Sequence, residues 1–132
     1  MVGVIIITHN AIGEEMLKTA EQIVGRLLPS VSSIGIPGDI KPEQLAEYAD
    51  LTHATIDRMD QGDGILIITD IFGATPNNLA QYFAEDHRVK IISGLNVSML
   101  IRIINYSDQP LELLAKIGIV GGNKGITLED DV

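Results

Sequence analysis

The sequence predicts an α/β fold, a three-layer sandwich whose helices cover both faces of a central, mainly parallel sheet. Three observations predict it. Four β-branched runs, Val2 to Thr8, Val31 to Ile36, Gly64 to Asp70 and Val89 to Ser93, each soon meet Asn, Pro, Asp or Gly. Stretches apolar on consecutive residues, such as Ile5-Ile6-Ile7 and Ile65-Leu66-Ile67-Ile68, suit strands covered on both faces; a half-exposed strand would alternate. Segments with helical spacing separate the runs.

Taken in order, the first run is a buried strand. Met16, Ala20, Ile23 and Leu27 then recur at helical spacing, widened by Leu17, Val24 and Leu28, until Pro29 stops the pattern. After the second strand, Pro42 opens a helix whose buried face is Leu45, Ala49, Thr52, Ile56 and Met59, with Gly62 closing it. After the third strand a helix begins at Thr75-Pro76, where Thr caps and Pro supplies a preset φ at the first position. Beyond the fourth strand, Val97 to Asn105 and Pro110 to Ile119 are two further helices, ended by Asn105 and by Gly121-Gly122. Ile126 to Glu129 is a candidate short antiparallel strand. Right-handed crossovers favour the strand order 2-1-3-4, with residues 1–132 forming one domain.

Composition bounds the chemistry. The 132 residues carry 9 Lys plus Arg against 18 Asp plus Glu, a formal net charge of −9, with 45% hydrophobic and 4% aromatic residues. Aliphatic side chains therefore fill the core, and a nucleic-acid partner is disfavoured for want of clustered cations. The absence of Cys removes disulfides, thiolate metal sites and a cysteine nucleophile, and points to the cytoplasm. No apolar run approaches the roughly 20 residues of a membrane span, so direct membrane insertion is not expected.

In the order 2-1-3-4 the winding reverses between strands 1 and 3, and ligands of such sheets sit beyond the strands' carboxyl ends at the reversal. The segments there are Thr8-His9-Asn10 and Asp70 through Asn78. His9 ends the first strand and Asp70 the third, so a hydrogen bond between them across the crevice is expected. A carboxylate accepting from Nδ1–H fixes the tautomer that leaves Nε2 with a free lone pair, as a nucleophilic imidazole needs. The helix opening at Thr75 directs backbone N–H groups to the same crevice and suits a phosphoryl group. Thr75 is placed to donate its hydroxyl, and Gly73 lets the backbone approach closely. Asn77 and Asn78 read equally as crevice lining and as ordinary helix-start polarity.

Other groups read as structural. His53 lies beside an apolar helical stripe, and His87 precedes strand 4, at the end of the sheet away from His9. Gly121 to Gly125 lacks the Ser or Thr after Lys that a phosphate loop requires. A phospho-aspartate receiver would need an acidic cluster after strand 1, a metallohydrolase at least three converging ligands, and a serine hydrolase a G-x-S-x-G elbow. These are lacking, and no metal site is expected.

Thr8-His9-Asn10 after the first strand, Thr69 through Asn78 after the third, and Ile92 through Leu100 together resemble the mannose-type (mannose/fructose/sorbose) enzyme IIA domain of the bacterial phosphoenolpyruvate:sugar phosphotransferase system. The similarity covers nearly the whole chain. It implies a carrier that takes phosphate from the phosphocarrier HPr on a histidine and passes it to a histidine of a IIB component during coupled sugar uptake. By this match His9 is the acceptor at Nε2, Asp70 orients it, and Thr75 stands near the phosphate; Gly73 and Ala74 of the same loop are further candidates to bind it. Ile71, Phe72 and Asn10 are candidate partner contacts, and Asn10 stands where Gly is common in the family. No metal or organic cofactor is implied. The sequence carries no fused IIB domain, so a separate IIB is expected, with association to a membrane permease complex. A homodimer is also expected, with Ile126 to Glu129 as the candidate exchanged strand. The alternative is a regulatory phosphocarrier whose state controls a transcription factor or kinase without transport. The related phosphocarrier subunit of dihydroxyacetone kinase differs in the loop after the strand-3 Asp.

Overall fold

The computed structural model describes residues 1–131. Its four parallel strands, β1 (Gly3–His9), β2 (Val31–Ile36), β3 (Ile65–Thr69) and β4 (Val89–Ser93), lie in the order β2-β1-β3-β4. The helices are α1 (Ile12–Val24), α2 (Leu45–Met59), α3 (Thr75–Gln81), α4 (Val97–Asn105) and α5 (Leu111–Lys124). Successive side chains of a strand face opposite ways. Val4 and Ile6 accordingly enter the core under α1, α4 and α5, while Ile5 and Ile7 enter the one under α2 and α3. Both faces of these strands are buried, which explains why β1 and β3 are apolar at every residue from Val4 to Ile7 and from Ile65 to Ile68. Register pairs Ile7 with Thr69 on β3 and His9 with Ile36 on β2, bringing the two predicted segments to one edge.

Several helix ends differ from the sequence expectation. Helix α1 stops at Val24 because Gly25 takes a left-handed cap and donates to Glu21 O, well before Pro29. Its inward face runs through Gly13, Met16, Leu17, Ala20 and Val24, so Ile23 and Leu27 point outward at 59% and 79% exposure. Small residues decide this. Gly13 sits against Ile6 and Thr8 where a Cβ would meet Ile6 at 2.8 Å, and the rest of the helix follows that close approach. A 3₁₀ turn, Pro42–Gln44, precedes α2, which ends at Met59 rather than Gly62; Asp60 takes the amides of Gly62 and Gly64.

Thr75 is the first helical residue of α3, not its cap. The cap position is Ala74, in extended conformation, and Asn77 reaches back to the Gly73 amide. Helix α5 continues through Gly121-Gly122 to Lys124, because those glycines are packing positions. A Cβ at Gly121 would lie 2.6 Å from the Arg102 stem, and one at Gly122 would lie 2.9 Å from Met99, so their bareness lets α4 and α5 close together. The proposed strand at Ile126 to Glu129 does not form. Ile126 and Leu128 are exposed and a 3₁₀ turn occupies Glu129–Asp131, leaving a four-stranded sheet among the described residues. A strand needs a partner for its backbone groups, and among the described residues the segment pairs with none.

Candidate functional site

One carboxylate organises the carboxyl edge of the sheet. Asp70 Oδ2 accepts the His9 backbone N–H at 3.0 Å and faces His9 Nδ1 at 2.7 Å, while Oδ1 accepts the Ile71 amide at 3.0 Å. Because an ionised carboxylate only accepts, Nδ1 must carry the proton toward it, and Nε2 is left as the free ring nitrogen. Burial pushes the Asp70 carboxyl up, but the His9 backbone and ring donors and the Ile71 amide outweigh it and hold the group below its ordinary 3.8. The His9 side chain is 36% exposed and that of Asp70 14%, so the ring meets solvent while its anchor is shielded. The predicted pair is present.

The turn that carries His9 is fastened on both sides. Buried Thr8 accepts the Gly13 amide through its hydroxyl at 2.9 Å and donates to the His9 carbonyl at 3.1 Å. Asn10 adopts φ 48°, the left-handed conformation that Asn tolerates better than most residues, and its Oδ1 accepts from Gly38 N at 3.0 Å. A Cβ on Gly35 would stand 2.3 Å from the Asn10 carbonyl oxygen, so β2 must be bare where the turn crosses it.

The loop after Asp70 bears the remaining candidates. Ile71 and Phe72, which directly follow Asp70, are 57% and 79% exposed. Gly73 has φ 85°, which costs a residue without Cβ little. Its amide is taken by Asn77 Oδ1 at 3.1 Å, so Gly73 contributes a turn rather than a free donor. The first bond of the following helix runs from Asn78 N to Ala74 O, which leaves the amides of Ala74 and Thr75 ahead of the helical ladder, where they have no helical acceptor. Proline at 76 brings none. Asn78 is exposed, whereas Asn77 is buried and turned inward.

The structure does not bring the other histidines here. His53 stacks on Phe83 with ring centroids 6.3 Å apart, and His87 is 94% exposed at the amino end of β4. Among the described residues no group of three or more His, Cys, Asp or Glu could hold a metal, and no helix is long and apolar enough to cross a membrane. Sequence reasoning missed the cluster of Thr69, Ser93 and Asn77. Its signal was present: strands β3 and β4 each end on a hydroxyl residue at paired positions.

A family model described as "PTS system fructose IIA component" matches residues 3–117. The mannose-specific EIIAB component of the phosphotransferase system of Escherichia coli K12 is 26% identical over 129 residues, which are 95% of this chain and 38% of that protein. This chain thus spans well under half the length of that relative. The fructose-specific EIIA component of Bacillus subtilis is 27% identical over 82% of this chain and 72% of its own length. A mannose/sorbose-specific IIA subunit from Enterococcus faecalis shares the fold, with a TM-score of 0.84 at 21% identity over 98% of this chain and 95% of that one.

Proposed function

The chain belongs to the family of PTS fructose IIA components, and from that membership we propose that it takes a phosphoryl group on His9 Nε2 from phospho-HPr and hands it to a histidine of a separate IIB component. The observation that carries this reading is the 2.7 Å contact between His9 Nδ1 and Asp70 Oδ2. In the neutral ring this contact puts the proton on Nδ1 and the free lone pair on Nε2, on a side chain that is 36% exposed.

In the first transfer the Nε2 lone pair forms a bond to phosphorus as the donor's P–N bond breaks and its electron pair returns to the donor imidazole. The phosphorylated ring gains positive character. Asp70, whose Oδ2 lies 2.7 Å from Nδ1, stabilises that charge through a charge-assisted hydrogen bond. The amides of Ala74 and Thr75, with the Thr75 hydroxyl, are assigned the phosphoryl oxygens. Since α3 has only seven residues, local amides rather than a long helix dipole supply this stabilisation. Little covalent work falls to the protein, so alignment and pre-placed donors account for catalysis. The second transfer reverses these movements toward the IIB histidine.

The test is intact mass after incubation with phosphoenolpyruvate, enzyme I and HPr, comparing wild type with His9→Ala at alkaline pH and after acid treatment. One acid-labile phosphate on wild type and none on the variant is the expected result. Wild type without phosphate, when the same donors charge another IIA, overturns the reading. A phosphate that no IIB component removes would favour the regulatory alternative.

A further inference from the structure

We propose that Asn77 is a positioning residue for phosphoryl transfer at His9, clamping the loop from Asp70 to Ala74 in the shape that presents its open amides; this rests on the phosphocarrier reading above. The side chain is 2% exposed. Its Oδ1 accepts the Gly73 amide at 3.1 Å, and its Nδ2 donates to Ser93 Oγ at 2.9 Å and reaches Thr69 Oγ1 at 3.4 Å. Thr69 in turn donates to Ser93 at 3.1 Å, and its carbonyl accepts the amides of Gly94 and Leu95. Two strand ends and two loops therefore meet at one carboxamide.

The position of each bond explains its use. Thr69 immediately precedes Asp70, and Gly73 immediately precedes the open amide of Ala74, so Asn77 spans the segment that runs from the anchor of the ring to the phosphate donors. Gly73 is the residue of that loop with the widest conformational freedom, and the clamp falls on its amide. Asn77 does not face the phosphoryl group itself. Its oxygen is occupied and its nitrogen points to the sheet, so its influence passes through the loop it holds. Donors placed before the reaction stabilise developing charge without reorganising, and a loop released at Gly73 forfeits that advantage.

Asn77→Ala removes the clamp, and Ser93→Ala removes only its far end. Both are compared with wild type using two donors: phospho-HPr, and phosphoramidate, whose P–N bond breaks with release of ammonia and which needs no protein docking. The expected result for Asn77→Ala is a maximal rate per folded molecule lower by about 10- to 100-fold with either donor. KM for phospho-HPr should stay unchanged and the Gly73 amide should exchange faster. Ser93→Ala should move the same way by less, and it decides the matter if Asn77→Ala does not fold. Wild-type maximal rates with a lowered Tm would make the cluster merely structural and overturn the inference. So would a change confined to KM for phospho-HPr, which would make the loop a docking element. Wild type charged by neither donor overturns the carrier reading and this inference together, whereas equal rates in wild type and variants overturn this inference alone.

Discussion

Asp70 holds both the backbone and the ring of His9, and the two contacts act differently. The bond to the His9 amide sets where the turn lies; the bond to Nδ1 sets which ring nitrogen is free. Asp70→Asn retains the shape but only one accepting oxygen, which serves either both His9 donors or the Ile71 amide, and it loses the negative charge and the obligatory tautomer. We expect a folded protein whose phosphorylation is slower by about 10²-fold, the scale of a misaligned reacting group. Time-resolved intact mass measures this, and an unchanged rate would remove Asp70 from the mechanism. His9 and Asp70 were legible as residues because strand ends at a winding reversal are read from order alone. The place of Thr75 inside α3 rather than at its cap, and Asn77 as a clamp, were not, because spacing places a residue on a helix without telling which neighbour its side chain reaches. Asn10 lies between these cases: its tolerance of a left-handed turn was readable, its bond to Gly38 was not.

Among elements, the end of α2 is tied to the start of β4 by charge. Arg88 donates through Nη2 to Asp86 at 2.8 Å and through Nη1 to Asp57 at 3.0 Å, and lies 3.8 Å from Asp60. The Arg88 side-chain and backbone donors, against the opposing effect of burial, lower the Asp86 carboxyl to about 2. A folded value below the unfolded one means that Asp86 contributes stability above its ordinary 3.8, and that this contribution fades as pH falls through about 2. Urea unfolding should therefore find Asp86→Asn less stable than wild type at neutral pH, with the difference closing toward pH 2. A difference independent of pH would sink this account. The helices themselves were readable from their period, but their depth was not. In α1 the small residues Gly13 and Ala20 press closest to the sheet and turn the larger Ile23 outward. In α5 two glycines that look like a stop are the seats of Arg102 and Met99.

For the whole molecule, which carries a net charge of −9, the proposed site would meet an anion through neutral amides and leave its approach open to a protein donor. Ile71 and Phe72, exposed on the loop after Asp70, are the apolar contacts we propose for such a donor. Because both already face solvent, Ile71→Ala with Phe72→Ala should leave Tm near wild type. Transfer from phospho-HPr should fall about tenfold or more, as truncated interface anchors commonly do, while phosphoramidate charging stays unaffected. Equal loss with both donors would show that the pair shapes the site instead. By itself the sequence determined the layered α/β class, the strand order and the edge on which His9 and Asp70 meet. Doubly buried strands, helical periods and right-handed crossovers leave few arrangements, and each of these is written locally along the chain. The end of α5, the fate of Ile126 to Glu129 and the inward turn of Asn77 were set by packing between distant parts of the chain. Those outcomes depend on which distant groups, Met99, a missing strand partner, or the hydroxyls of Thr69 and Ser93, stand close enough to satisfy a backbone or fill a gap.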